Sequence, residues 1–349
     1  MPSQNVPHPE RRAKPVVEGR TLLAAVVCAM FAAAAQAGEP VKIGVVKTLA
    51  VGPIFVAQEK GYFAAEGLDA EIVYFDAAQP IAVAAASADI EFGITGLSAA
   101  FYTLAGQGVL RMIAAGNREM PGFKNAGYLA SNRAWDSGLR TIKDIAGHSV
   151  AVTQRGAMLD YDAALAIEHF GIDPASVRIL ALQSNTNVTS ALAGGQADAA
   201  VFPVTPAMVV LGKGDAKLLG WVGDMVPYGQ ANAAFTAAKI ADGRSETVKH
   251  FLAAYRKGAR DYHDAFAGAN EERRDGPTAP AVLDILHKYT GQEVAQIEQA
   301  IPWVDADVRL DVGDIKHQIA WFTQQGLLKG AVAADALIDR RYVTPLPPN

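Results

Sequence analysis

Residues 41–101 alternate between short apolar runs and helical segments, and this alternation constrains the fold more than any other feature of the chain. The apolar runs are short, contain β-branched residues and read as buried strands. They lie at 41–47, 68–75 and 90–94, with helical segments at 54–60 and 81–86 between them. A further apolar run of the same kind follows at 109–115. Strands that alternate with helices in this way predict a mostly parallel sheet with helices on its faces.

The second half of the chain repeats this pattern. Segment 196–207 (QADAAVFPVTPA) resembles segment 87–98 (SADIEFGITGLS): each has small residues, an aspartate, a short strand and a polar loop. The sequence therefore predicts two lobes built alike, each a mixed, mostly parallel sheet flanked by helices. We place lobe I at 38–126 together with 231–349, and lobe II at 127–230. The chain then crosses between the lobes twice, and 230–237 is predicted to be the return crossing.

The segment 245–266 is predicted to be a long amphipathic helix. Its apolar side chains fall at helical spacing, among them Val248, Phe251, Leu252 and Tyr255. Its other positions are strongly charged, which is typical of a helix with one buried face.

The N-terminal residues 1–37 have the three parts of a secretory signal peptide. Arg11, Arg12, Lys14 and Arg20 precede an apolar run at 22–35, and a small-x-small site at 35–37 follows it. A membrane-spanning helix needs about 20 apolar residues, and this run is shorter. We expect cleavage after residue 37 and export to the periplasm.

Charge and cysteine content exclude several classes of function. The formal net charge is −5, without a basic cluster, so we expect no nucleic-acid partner. The single cysteine, Cys28, lies in the predicted signal peptide. The exported chain therefore has no thiol for a disulfide, a metal site or a nucleophile. Its histidines show no metal-ligand spacing, and we expect neither a metal nor another cofactor.

Several motifs resemble the nitrate/sulfonate/taurine-type substrate-binding proteins of ABC importers. They are 57–63 (AQEKGYF), 66–69 (EGLD), 88–96 (ADIEFGITG), 142–147 (IKDIAG) and a tail pattern that begins at 301. The resemblance covers essentially the whole chain after residue 37. It implies a two-lobed periplasmic-binding-protein fold of type II, with the ligand in the cleft between the lobes. It also implies a permease and an ATPase as partners and a binding protein rather than an enzyme, and we expect a monomer.

Open α/β sheets bind ligands beyond the carboxyl ends of their strands, so the loops at those ends are the candidate site. Thr95, Gly96 and Ser98 lie between a predicted strand and a predicted helix, where free backbone N–H groups would stabilise an anion. The alternative is that Thr95 or Ser98 only caps the helix. In the family that the chain resembles, the loop containing Thr48 faces the ligand.

Arg155, Gly156 and Thr205 occupy the corresponding loops of the second lobe. Arg155 would bind a carboxylate or sulfonate with two hydrogen bonds, or else lie exposed on the rim. Thr205 stands where members of the family often carry an acidic residue, which disfavours an amino-bearing ligand such as taurine. Asn117 and Tyr228 lie near the crossings and complete the candidate ligand contacts, with a hinge role as the alternative.

The sequence thus predicts a protein that captures a small organic anion, a sulfonate or a carboxylate that includes aromatic ones. An inorganic anion, a neutral pyrimidine-like ligand and an exported enzyme on the same fold remain the alternatives. Pyrimidine-forming enzymes and a desulfinase with similar folds depend on cysteines that residues 38–349 lack. The chain also has no G-x-S-x-G, Walker A or G-x-G-x-x-G motif.

Overall fold

The structure is a computed structural model that describes residues 1–2 and 38–347. The predicted signal peptide, beyond its first two residues, lies outside the described residues. Within the described part of the chain, no helix is both long and apolar enough to cross a membrane.

The strands form two five-stranded sheets and one short two-stranded ribbon. They are β1 (Glu39–Val46), β2 (Leu68–Phe75), β3 (Phe92–Gly96), β4 (Leu110–Ala115), β5 (Asn117–Arg118), β6 (Ala126–Ser131), β7 (Ser149–Val152), β8 (Arg178–Ala181), β9 (Ala199–Pro203), β10 (Ala216–Trp221), β11 (Asn232–Ala237) and β12 (Trp303–Val304). Sheet I has the order β2-β1-β3-β11-β4, sheet II has the order β8-β7-β9-β6-β10, and β5 pairs with β12.

Helices follow most of these strands. They are α1 (Gly52–Glu59), α2 (Tyr62–Ala65), α3 (Ala78–Ser87), α4 (Ala99–Gly106), α5 (Asn132–Asp136), α6 (Met158–His169), α7 (Asn185–Ala193), α8 (Val204–Gly212), α9 (Val222–Met225), α10 (Ala238–Gly243), α11 (Ser245–Phe266), α12 (Ala279–Thr290), α13 (Val294–Glu298), α14 (Val312–Gln324) and α15 (Ala334–Leu337). Short 3₁₀ turns lie at Leu49–Val51, Ile142–Asp144 and Pro174–Ser176.

Both sheets are mixed and mostly parallel, as the sequence predicts. In sheet I, β1 pairs in parallel with β2 and β3, whereas β11 runs antiparallel to β3 and β4. In sheet II, β7 pairs in parallel with β8 and β9, whereas β6 runs antiparallel to β9 and β10. The reversed strand of each sheet is the one that enters from the other sheet, so the two sheets have the same plan. This is the two-lobed periplasmic-binding-protein fold.

The long helix α11 has the predicted bounds and buries the predicted face against sheet I. Phe251 stacks on Phe92 of β3 with ring centroids 3.9 Å apart, and both side chains are fully buried. Gly258 allows α1 to approach closely, because a Cβ atom there would lie 2.3 Å from the carbonyl oxygen of Pro53. Gly61 has a φ of 70° and ends the first helix in the left-handed conformation, also as predicted.

Two segments differ from the sequence prediction. The third strand extends over Phe92–Gly96 rather than 90–94, because Gly96 still pairs with Asn232 of β11. The segment 230–237, predicted to be the return crossing, supplies β11 inside sheet I. Residues Gly38–Asn349 group as one unit by their contacts, and the lobe boundaries at 126/127 and 230/231 stay a prediction.

Candidate functional site

A cavity of about 140 Å³ lies between the two sheets, at the carboxyl ends of β1, β3 and β9. An apolar cavity of about 150 Å³ in another protein holds benzene, so this space suits a molecule of roughly that size. The cavity is lined mainly by apolar side chains, among them Val46, Ile94, Met158 and Val204. Its position is the one expected for ligands of open α/β sheets.

Four of the predicted site residues line this cavity: Thr48, Thr95, Gly96 and Thr205. Thr48 follows β1, and Thr95 and Gly96 end β3, so all three come from sheet I. Thr205 lies in the first turn of α8 on sheet II, and its hydroxyl is 3.4 Å from Oε1 of Gln292. The structure thus brings residues from the two predicted halves of the site to one cavity.

The amides at the start of α4 are largely bound by the protein itself. Ser98 caps the helix, since its Oγ accepts a hydrogen bond from the amide of Phe101 at 3.3 Å. The amide of Ala99 donates to the carbonyl oxygen of Gly156 at 2.8 Å. Neither Ser98 nor Gly156 lines the cavity. Ser98 caps the helix, which is the alternative considered for it from the sequence.

Arg155 lies outside the cavity. Its Nη1 donates to Oδ1 of Asp160 at 2.8 Å, and its side chain is 41% exposed. Asp160 is buried and also accepts the amide of Gly156 at 2.9 Å. Burial raises the pKa of Asp160, while the Gly156 amide and the Arg155 guanidinium act in the opposite direction. Arg155 thus pairs with a buried carboxylate in the first turn of α6 and lies beside the cavity rather than in its lining.

Asn117 and Tyr228 belong to the crossing segments rather than to the cavity lining. The buried Asn117 lies in β5 and donates through Nδ2 to Oδ1 of Asn125 at 2.7 Å. Tyr228 has a φ of 75°, and its carbonyl oxygen accepts a hydrogen bond from Arg118. Both residues thus bond neighbouring segments of the crossings, and whether they act as hinge residues or ligand contacts stays a prediction.

Asp162 lines the cavity from α6, beside sheet II, and is not among the predicted contacts. It is 2% exposed, and its Oδ2 is buried without a hydrogen-bond partner among the described residues. Burial raises its pKa well above the ordinary value, and the nearby Glu119 and Asp314 raise it further. Asp162 lies beyond the first turn of α6, and no local sequence pattern marks it as a cavity residue, because its burial depends on segments that are distant along the chain.

Asn125 and Asn232 also line the cavity, and neither was among the predicted contacts. Asn125 is fixed on its far side, where its Nδ2 donates to Oε1 of Glu119 and its Oδ1 accepts from Asn117. Glu119 is buried, and its burial raises the pKa to about 8. Within the described lining there is no lysine, arginine or histidine.

Across the described residues, no group of three or more histidine, cysteine or acidic side chains is arranged to hold a metal ion. The cavity therefore offers hydroxyl, amide and carboxyl groups, together with apolar contacts, to a ligand.

Comparison with known proteins places the chain in a family. The family model described as NMT1/THI5 like matches residues 49–265, which is more than half of the chain. The chain belongs to the NMT1/THI5-like family. No curated protein matches its sequence.

Solved structures share the fold at low identity. The alkanesulfonate-binding protein SsuA from Xanthomonas axonopodis pv. citri, bound to MOPS, is 19% identical with a TM-score of 0.67, covering 86% of this chain and 97% of that one. The periplasmic nitrate-binding protein NrtA from Synechocystis PCC 6803 is 15% identical with a TM-score of 0.68, over 86% and 84%. A mutant of the enzyme DSZB in complex with biphenyl-2-sulfinic acid is 14% identical with a TM-score of 0.57, over 88% and 96%. At these identities the similarities show a shared fold alone.

Proposed function

We propose that this protein is the solute-binding component of an ABC importer. The observation that carries the proposal is the cavity between the two sheets, to which Thr48 and Thr95 contribute from one side and Asp162 and Thr205 from the other. A ligand held there contacts both halves only when they are together, so binding favours the closed arrangement. The family and the two structurally similar binding proteins support this function.

The export signal predicted at 1–37 and the fold together support a periplasmic location, with a permease and an ATPase as partners. The expected ligand class, a small organic anion, rests on the resemblance to sulfonate- and nitrate-binding proteins. The cavity gives it little support, because the described lining has a carboxyl group and no cation. Of the ligands named from the sequence, an uncharged pyrimidine-like molecule fits this lining better than a sulfonate.

An enzyme on the same fold is the second candidate, since the similar structure of DSZB is that of an enzyme. The buried acids Asp162 and Glu119, with raised pKa values, are the groups that acid–base chemistry would use. Residues 38–349 contain no cysteine, which removes the thiol nucleophile. We favour binding because the cavity is small and supplies no further reactive group to a substrate.

A thermal-shift screen of the purified protein tests the proposal. The screen contains sulfonates, aromatic carboxylates, nitrate, pyrimidines and amines. A true ligand at a hundred times its Kd should stabilise the fold by about 2.7 kcal/mol. Each stabilising compound is then incubated with the protein and recovered for mass spectrometry. Recovery of the unchanged compound supports a binding protein, whereas its conversion, or the absence of any stabilising compound, overturns the proposal.

A further inference from the structure

The carboxyl group of Asp162 is the most unusual feature of the cavity. Asp162 is 98% buried and lines the cavity, and its Oδ2 has no hydrogen-bond partner among the described residues. Burying an unpartnered polar atom is unfavourable, so such an atom in a binding cavity points to a group that the ligand supplies. An ionised carboxylate accepts hydrogen bonds only, so a cationic donor from the ligand is the partner that would satisfy Oδ2 and offset the burial and the neighbouring acids that raise the pKa of Asp162.

The surroundings of Asp162 determine the charge that this donor should carry. The ionisable groups whose charges shift the pKa of Asp162 are Glu119 and Asp314, both of them acids. The hydroxyl of Tyr128 donates to the backbone carbonyl of Asp162 at 2.6 Å and leaves the carboxyl group free. The described lining contains no cation that would repel a positive charge placed beside Asp162, and each of these acids that is ionised would attract it.

We infer that the cavity takes a small apolar or aromatic molecule with an ammonium or amidinium group, and that Asp162 selects it by a charge-assisted hydrogen bond. This inference rests on the proposed function and names the ligand class for that site. Asn125, whose Oδ1 and Nδ2 are both bound by neighbouring side chains, gives the polar end of the cavity a fixed shape. Ile94, Met158 and Val204 provide the apolar surface for the rest of the ligand.

Three probes of equal shape and different charge test the inference: benzamidine, benzamide and benzoate. Their dissociation constants for the full chain are measured by isothermal titration calorimetry at pH 7. Because a hydrogen bond to a charged group contributes more than a neutral one, we expect benzamidine to bind about tenfold to a hundredfold more tightly than benzamide. We expect benzoate to bind most weakly, since it would place a second anion beside Asp162.

The substitution Asp162→Asn keeps the size of the side chain and removes its charge. We expect it to abolish the preference for benzamidine while the affinity for benzamide changes by less than about threefold. Asp160→Asn is the matched control, because Asp160 lies on the same helix but is bound by Arg155 and Gly156 outside the cavity. The control variant should keep the order of the three probes.

The outcomes separate this inference from the proposed function. If benzoate binds more tightly than benzamidine, or if Asp162→Asn keeps the preference for benzamidine, the inference is wrong while solute binding stands. If none of the three probes binds but a screened sulfonate, carboxylate, nitrate or pyrimidine does, the inference is again overturned alone, whereas binding of a screened amine supports it. Failure of every probe and every screened compound overturns both.

Discussion

The backbone carbonyl of Gly156 accepts a hydrogen bond from the amide of Ala99 at 2.8 Å, and this bond joins the two sheets. Ala99 begins α4 beside sheet I, whereas Gly156 precedes α6 beside sheet II. The bond satisfies the first free amide of α4, which would otherwise be available to an anion. The same hydrogen bond therefore connects the two sheets and leaves one fewer free amide for an anion at the start of α4.

Substituting Gly156 by alanine should weaken this junction. Gly156 has a φ of 73°, and an added Cβ would lie 3.1 Å from the Cβ of Ala99. We expect a loss of about 1–2 kcal/mol in the free energy of unfolding from the left-handed backbone, together with a more open average structure. Urea unfolding measures the loss, and small-angle X-ray scattering measures the radius of gyration.

Gly171→Ala is the control for this prediction. Gly171 is also left-handed, with a φ of 63°, but an added Cβ would meet no atom within 4 Å. It should lose comparable stability without any change in the radius of gyration. Equal radii for the two variants would show that the Gly156–Ala99 bond does not hold the sheets together.

Tyr161 makes a second connection between the sheets. Its hydroxyl lies 2.6 Å from Nδ1 of His317 and 3.1 Å from Oδ1 of Asp314, both on α14. Tyr161→Phe removes these bonds from a buried site, so we expect a loss of about 1–3 kcal/mol in unfolding free energy. We also expect a larger radius of gyration, measured as above.

Tyr102→Phe is the comparison for Tyr161→Phe. Tyr102 is equally buried, but its hydroxyl bonds Gln318. The helices that carry these two residues, α4 and α14, pack in one core cluster with β4. It should lose stability and keep its radius of gyration. The prediction for Tyr161 is wrong if both variants behave alike in scattering.

Glu119 should make stability depend on pH. Burial raises its pKa from 4.5 to about 8 in the folded protein. The unfolded chain therefore loses this proton at a lower pH than the folded protein does. The stability that this raised pKa contributes is fully present below about pH 4.5. It is lost as the pH rises to about 8, and over this range the free energy of unfolding falls by up to ~1.4 kcal/mol per pH unit.

Glu119→Gln tests this dependence, because glutamine keeps an oxygen that accepts from Asn125 and cannot ionise. We expect the variant to gain stability over the wild type as the pH rises from 5 to 8, measured by urea unfolding at each pH. A difference between the two proteins that stays constant over this range would contradict the raised pKa.

Arg155→Ala should leave ligand binding nearly unchanged. The side chain is 41% exposed and bonds Asp160 outside the cavity. We expect a loss of about 1–3 kcal/mol in unfolding free energy, because the substitution leaves the buried Asp160 without its charged partner. The Kd for the best compound of the thermal-shift screen should change by less than about twofold. A tenfold weaker Kd would restore the ligand contact that the sequence analysis considered.

Much of the fold could be predicted from local sequence patterns. The alternation of strands and helices gave the mixed, mostly parallel sheets, and helical spacing gave α11 with its bounds. The position of β3 was two residues off, because its end depends on pairing with β11 more than 100 residues away. No local signal shows that 230–237 is a strand of sheet I rather than a plain crossing.

The candidate site was predicted in part. The rule that ligands bind at carboxyl ends of strands identified Thr48, Thr95, Gly96 and Thr205, which do line one cavity. Whether they contact the ligand remains a prediction. Arg155 looked like an anion contact because its sequence neighbours do not reveal that Asp160, in the first turn of α6, binds it.

The sequence by itself determined the class of fold, since apolar periodicity and turn residues act through neighbours along the chain. Only the tertiary structure decided the charge of the cavity. Asp162 became a buried acid beside Glu119 and Asp314 because three distant segments fold against one another. Burial and electrostatic interaction depend on distance in space, and the order of residues along a chain does not contain those distances.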